Sequence, residues 1–440
     1  MMTMVNLAVP TIGSDFGVSA HIQSWTVMAF FLASVAFMIP MSRVSDLYGK
    51  KRIFIFGIIV VLLSSIATAA SPTFTILLAS RAFSGIGTAC ISLTSVSMIA
   101  QVYPSAQKGL PLAINTMCIY IGASLGPGLG GVLTEMFGWR VMFLSIIPFC
   151  VLALIMVMRF KYELRTAKGE PFDAKGSLFY GVGIVVLMYG VITLPDALSP
   201  IFIAAGALLL VIFLNLQMRT KYPVLMLSLF SGKTFRRSTF ATFLNYGSAY
   251  AVLFSLSLYL QYIGGMGPGT AGLIILAQPA IQAVITPFAG KLSDKIDPRI
   301  LTTSGMIMMC IGTLLMITLT EELVMLQVYL ILIATGCGYA LFSAPNTNVV
   351  MSSVAVKDYS ESSGVLSLMR QVGMMTSIAI VMCMISVFLG TTTVVTPDVF
   401  GEFILSIRYS FAVCFVLALI GCFMTWFSRD KSATPGVSNH

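Results

Sequence analysis

Asp46, Gly49 and the bases Arg43, Lys50, Lys51 and Arg52 form the densest knot of charge in this sequence. They fall within 42–52, between two long apolar runs. An acid among bases can form ion pairs, and the bases can hold helix-end carbonyls or anionic headgroups. A glycine among them lets the chain reverse tightly. A thinner copy returns at Gly290-Lys291-Leu292-Ser293-Asp294-Lys295-Ile296-Asp297-Pro298-Arg299, with Asp297-Pro298 in place of the glycine. This is the chemistry of electrostatic latching rather than bond making. Asp46, Gly49, Lys50, Arg52, Gly290 and Asp294 are expected to form a paired gating element, with the first copy the stronger.

Two further stretches stand out. Leu78-Ala79-Ser80-Arg81-Ala82-Phe83-Ser84-Gly85-Ile86-Gly87 places an arginine inside an apolar run. Such a residue costs a few kcal/mol in lipid unless it faces water or a partner, or snorkels to the membrane edge. Gly122, Gly126, Pro127, Gly130 and Gly131 form a small-residue face with a proline in it. That pattern suits close helix contact and a kink.

Other chemistry is thin. The two histidines, His21 and His440, are isolated, and the eight cysteines lie in apolar runs without metal-type spacing. There is no GxxxxGK[ST] phosphate loop and no nucleophile–base set. An enzyme, an ATP-driven pump and a metal site are therefore not expected.

The elements that must carry these residues follow from composition. The chain is 58% hydrophobic and 9% charged, with a mean hydropathy of +0.96. Soluble domains carry about 25% charged residues. The apolar runs match the ~20 residues that cross a bilayer as a helix, and the short alternation of barrel strands is missing. An all-α integral membrane protein is expected. The helices are read at about 22–41, 53–70, 74–102, 110–134, 140–159, 176–195 and 199–218. The later ones are read at about 238–263, 269–290, 300–320, 324–350, 362–389 and 406–427. A partial first helix ends near Gly13.

The net charge of +9 comes from 25 bases against 16 acids. It reads as the positive-inside rule rather than as a nucleic-acid surface. Nearly all bases fall in alternate connections, with only Arg140 and Arg408 near the opposite side. Both termini are therefore expected in the cytoplasm. The longest basic connections bracket 176–195 and 199–218. This divides the chain into a six-helix bundle at 1–160, a two-helix insert at 161–236, a second bundle at 237–428 and a tail at 429–440. Repeated halves of this kind are the architecture of secondary transporters.

At this point the sequence resembles the major facilitator superfamily, and within it the 14-helix drug:proton antiporter subfamily. The resemblance rests on the 42–52 stretch, on Arg81 with its glycines, and on Gly126-Pro127 with Gly130-Gly131. It rests also on Trp139-Arg140-Val141-Met142-Phe143 with Pro148, on Thr3-Met4-Val5-Asn6, and on Arg370-Gln371-Val372-Gly373. Ser42 and Ser84 depart from the pattern. So does Met1, which stands where the family has an acid before Thr3, and the chain is expected to start upstream of Met1. The resemblance implies two six-helix bundles plus two extra central helices, fourteen in all with the first truncated. It implies alternating access, an antiporter motif at Gly122, Gly126, Pro127, Gly130 and Gly131, and a part for Arg81 in proton coupling; among the acids near helix ends Glu135 or Asp46 could carry the proton, the alternative being the acid missing before Thr3. The energy source would be the proton gradient, with no cofactor.

Asn6, Trp25, Asn115, Asn245, Tyr246, Gln278 and Asn346 are the candidate lining of a central cavity. With 28 Met and 30 Phe, soft thioether and aromatic walls suit large apolar compounds. The expected activity is export of hydrophobic or amphipathic compounds by a monomer in the plasma membrane. Few buried acids argue against strictly polycationic cargo. Two alternatives remain open: a carrier of one metabolite, such as an amino acid or an organic anion, and a membrane sensor or scaffold without transport.

Overall fold

The structure is a computed structural model. It describes residues 2–102, 109–159, 163, 165, 169–194, 196–293, 296–354, 359–390 and 397–427. Asp294 and the tail at 429–440 lie outside the described residues.

No strand occurs among the described residues. The first half holds α1 (Met2–Phe16), α2 (Ala20–Gln23), α3 (Trp25–Tyr48), α4 (Lys50–Ala69), α5 (Phe74–Val102), α6 (Gly109–Phe137), α7 (Trp139–Leu144) and α8 (Ile147–Arg159). The insert is α9 (Ala174–Ile192) and α10 (Ser199–Arg219). The second half holds α11 (Lys233–Ala249), α12 (Ala251–Tyr262), α13 (Pro268–Ile275), α14 (Ala277–Ser293), α15 (Pro298–Ile317), α16 (Met325–Ser352), α17 (Tyr359–Leu389) and α18 (Phe400–Trp426). Twelve spans among the described residues are long and apolar enough to cross a membrane. To these the chain adds the 29-residue α6 and the 15-residue α1.

Three spans are broken in two, and the breaks have chemical causes. α7 ends at Leu144 and α13 at Ile275, each four residues before a proline, Pro148 and Pro279. A proline has no N–H to return to the carbonyl four residues back. The α11–α12 break at Tyr250 needs no proline. The Ala251 N–H donates to Ser377 Oγ on α17 at 3.0 Å instead of to Gly247. The Gly247 carbonyl is met by the Cys414 thiol on α18 at 3.9 Å. Side chains from two other helices thus take over one rung of the helix ladder and interrupt it.

The apolar surface faces outward, as lipid requires. Phe149, Leu208, Met218, Phe288 and Leu326 are exposed, while Arg81, Lys50, Asn245 and Gln278 are buried. Within the first half α3, α4 and α5 pack closely, and within the second α15, α16 and α18 do. The halves meet where α6 lies on α13 and α14, α1 on α12, and α3 and α5 on α17. The insert is a helical hairpin whose first helix, α9, touches both α3 and α17. The Tyr180 hydroxyl donates to the Val35 carbonyl at 2.8 Å across that contact. Asp173 caps α9 by accepting from the Gly176 N–H at 2.8 Å and also accepts from Gln217 of α10 at 2.7 Å.

Candidate functional site

The gating stretch is helix almost throughout, not the loop its charges suggest. α3 runs to Tyr48 and α4 begins at Lys50, so Gly49 alone makes the turn. Bases tolerate a helical backbone here because acids meet them: Arg52 is exposed, but Lys50 is buried and Arg43 nearly so, each on a carboxylate. Gly49 has φ +116° and ψ 134°, a conformation that L side chains avoid. Lys50, its side chain fully buried, lies 3.2 Å from Asp46 across this hinge. Arg43 and Arg52 pair with Glu170 and Glu163 on the connection to the insert. The cluster therefore ties α3 and α4 to the insert. Its contact with the second half is lateral: Ser42 Oγ sits 4.0 Å from where a Cβ on Gly364 of α17 would be. Gly290 lies inside α14, and Asp297 caps α15 by accepting from the Arg299 N–H at 3.0 Å. Arg299 also pairs with the Asp297 side chain and holds that carboxyl below the usual carboxylate range. Gly49→Ala is expected to cost about 1–3 kcal/mol through backbone strain, read as a lower melting midpoint of the purified protein.

Arg81 is 1% exposed. Its Nε–H donates to the Thr26 carbonyl at 3.0 Å. The guanidinium lies 4.8 Å from the Phe30 ring centroid and 5.6 Å from that of Phe143. Gly85, one turn on from Arg81, has the Phe30 carbonyl where a Cβ would stand. That small residue brings α5 close enough for Arg81 to reach α3. Arg81 Nη1 has no hydrogen-bond partner. From Phe30 the aromatic contacts run through Phe31 to Tyr250, at 5.5 and 5.6 Å between centroids. Tyr250 stands at the α11–α12 break in the second half, within electrostatic range of Arg81.

A second intramembrane cation lies in the other half. Arg370 of α17 lies over the Tyr246 ring, 5.3 Å from its centroid, with its Nε buried and unpartnered. Tyr246 packs on Tyr339 of α16 at 5.2 Å. Gly336, one turn before Tyr339, lies against the Gln278 carbonyl. The Tyr339 and Tyr250 hydroxyls, within electrostatic range of each other, are buried without partners, as are Asn245 Oδ1 and Gln278 Nε2 on α11 and α14. Native interiors rarely leave such groups unpaired, so these carry unused hydrogen-bonding capacity.

At the far end of the bundle from Gly49, the halves close on each other through backbone. Gly131 of α6 faces the Pro268 carbonyl, and a Cβ on Gly272 of α13 would stand 2.5 Å from the Pro127 carbonyl. Gly128 meets Leu276, and Gly130 meets Met4 of α1. Gly126 is buried, whereas Gly122 has nothing within 4 Å of a modest side chain. Glu135, exposed, accepts from the Gly269 N–H at 2.6 Å and so caps the first turn of α13. Nearby, Asp15 accepts from Trp139 Nε1 at 2.9 Å and from Arg140 at 2.7 Å, tying the end of α1 to α7.

The remaining candidates scatter. Asn6 is buried on α1, its Oδ1 unpartnered and its carbonyl accepting from Ser257 at 3.3 Å across the halves. Asn245 donates to Met306 Sδ at 3.2 Å. Trp25 packs on Tyr189 of the insert, 5.9 Å between centroids. Asn346 donates to the Ser238 carbonyl and to Thr242 Oγ1, a structural tie between α16 and α11. Asn115 is half-buried on α6. Tyr246 and Gln278 belong to the central cluster. Sequence reading singled out neither Tyr339 nor the contact of Arg370 with Tyr246; the signal available was a base inside an apolar run.

A two-halved helical bundle with a broken helix, a polar centre and a glycine-lined seam defines a membrane transporter fold. The Major Facilitator Superfamily pattern matches residues 1–235 and 238–440, and the chain belongs to that superfamily. It is a transporter, not an enzyme. Multidrug resistance protein Stp of Mycobacterium tuberculosis (strain CDC 1551 / Oshkosh) is 28% identical over 395 residues, covering 88% of this chain and 73% of Stp. Riboflavin transporter RibZ of Clostridioides difficile (strain 630) is 26% identical over 356 residues, covering 80% and 77%. A crystal structure of a bacterial homologue of the human lysosomal transporter Spinster, inward-facing and unoccupied, matches the fold. Its TM-score is 0.65 at 18% identity, over 97% of this chain and 93% of that one.

Proposed function

We propose that the chain exports hydrophobic or amphipathic compounds across the plasma membrane by alternating access, driven by protons. The observation that carries this reading is the α6–α13 seam. Gly131 and Gly272 bring the backbones of two halves into contact at one end of the bundle, as a reversible closure between rocking units requires. The positive-inside rule puts the Gly49 end and both termini in the cytoplasm, so the seam is the outer gate. The rocking units are 1–160 and 237–428, with 161–236 riding on their junction, and the protein acts as a monomer. The printed name of Stp, a multidrug resistance protein, agrees with export.

Glu135 is the proton-linked latch in this reading. As a carboxylate it accepts from the Gly269 N–H at the positive end of α13. The cap holds only while Glu135 accepts from that N–H, and its loss favours opening outward. Asp46 pairs with Lys50 at the inner hinge, and Arg81 senses the change at the centre through the aromatic row to Tyr250. Glu135→Ala is expected to shift the outer gate toward open by about 2- to 5-fold, the value of one carboxylate at a helix N-terminus. Proteoliposomes should show substrate-dependent proton release for the wild type and less of it for the variant. No pH change with any transported compound would remove proton coupling.

RibZ, named a riboflavin transporter, favours a second reading: a carrier dedicated to one metabolite. Transport of several unrelated dyes that compete with one another would exclude it.

A further inference from the structure

We propose that the cargo is an amphipathic organic anion whose acid group is held by Arg370 and the tyrosines around it. This rests on the transport reading and names the class of compound that the centre accepts.

Arg370 sits 11 residues into the 31-residue α17, deep within the span. None of the five ion pairs among the described residues includes it or Arg81. Every acidic residue on a described helix lies in its first or last turn: Asp15, Asp46, Glu135, Glu361 and Glu402. The middle of the protein therefore carries two cations, one from each half, and no described carboxylate. Arg81 is buried and Arg370 half-buried with its Nε fully covered, and a charge with little access to water is costly without an opposite charge. The Tyr246 face satisfies only part of Arg370, leaving its Nε without an acceptor.

The neighbours fit an anion with an aromatic or apolar body. Arg81 Nη1, Arg370 Nε and Gln278 Nε2 can only donate, and the Tyr250 and Tyr339 hydroxyls can donate. A carboxylate or sulfonate is acceptor-only and matches such a set; a planar guanidinium holds it better than an ammonium would. Phe30, Phe31, Tyr246 and Tyr339 offer ring faces for the rest of the molecule. A cationic drug would meet the like charge of Arg370 and no described acid, which disfavours it at this site.

The test uses the purified full chain in nanodiscs, with carboxyfluorescein as an aromatic anion and ethidium as an aromatic cation. Anisotropy should show carboxyfluorescein binding that Arg370→Gln weakens by about tenfold or more, the loss of one charge-assisted contact. Arg370→Lys should keep part of it. Ethidium should bind more weakly and respond little to either change. Tighter binding of ethidium than of carboxyfluorescein by the wild type, a measurement that needs no variant, overturns the proposal. So does an unchanged affinity in monodisperse Arg370→Gln. Proteoliposome assays separate the two readings. Ethidium moved without anion binding sinks this inference and leaves export standing. Anion binding without any gradient-driven movement sinks export and leaves the site.

Discussion

Arg81→Met is expected to lose at least about tenfold in transport while the purified protein melts at the same temperature or higher. The two effects separate because they arise from different terms. The Nε–H bond to the Thr26 carbonyl is a charge-assisted contact of about 1.5–3 kcal/mol. The ring contacts with Phe30 and Phe143 add about 0.5–2 kcal/mol each. Against these stands the desolvation of a guanidinium that is 1% exposed, several kcal/mol even after relaxation. Replacing a buried charge by an apolar side chain of similar length is often neutral or stabilising for that reason. Transport has no such compensation. The row from Arg81 through Phe30 and Phe31 to Tyr250 joins the halves at the helix break, and only the cation gives it a charge to respond with. A tenfold loss corresponds to about 1.4 kcal/mol, less than the contacts removed. Arg81→Lys should fall between, since an ammonium cannot serve the carbonyl and both rings at once. Dye efflux from proteoliposomes and a thermal melt decide it. Wild-type efflux in Arg81→Met would remove Arg81 from the mechanism.

Gly131→Val should hold the α6–α13 seam apart. Its Cβ would land on the Pro268 carbonyl, with the Gly269 Cα at 3.2 Å. Both are backbone, so neither moves without shifting a helix. Overpacking of this kind costs about 1–3 kcal/mol, a change of about 5- to 150-fold in the closed-to-open ratio. Gly122→Val on the same helix is the control, because nothing stands within 4 Å of its added carbon. Leu7 reports on the seam: it is buried, and its Cδ1 lies 3.0 Å from a Cβ built on Gly272. With the eight native cysteines replaced, Leu7→Cys should react with an impermeant maleimide far faster beside Gly131→Val than beside Gly122→Val. Equal labelling in the two would show that the seam does not open at this point.

The spanning units were legible because a bilayer imposes one length on every helix and leaves apolar runs to record it. Two of the internal breaks were legible in principle as well, since Pro148 and Pro279 each mark one four residues upstream. The break at Tyr250 was not, because Ser377 and Cys414 cause it from distant parts of the chain. The 42–52 stretch misled in a simple way. Its charges look like a loop, but bases paired with acids sit comfortably on helix ends, and only Gly49 breaks the backbone. Charge alone could not distinguish a snorkelling arginine from one like Arg81 that is walled in by Phe30 and Phe143. Trp25 looked like cavity lining by composition, yet the insert helix α9 was there to cover it. Residue type does not say which neighbour a helix face will meet.

That insert also changes how the bilayer reaches the interior. Two flanks of the bundle hold a junction between halves: α3 beside α17, and α6 beside α13 and α14. On the first flank α9 lies over the junction, with Tyr180 bonded at Val35 and Tyr189 packed on Trp25. On the second, Leu125, Leu129, Leu273 and Val284 are exposed, directly against acyl chains. Were the proposed cargo drawn from the membrane, it would find one doorway screened by a protein pillar and one bare. Its entry would then be one-sided, and an anionic headgroup or a bulky tail near α6 and α14 would obstruct it where the same molecule near α9 would not.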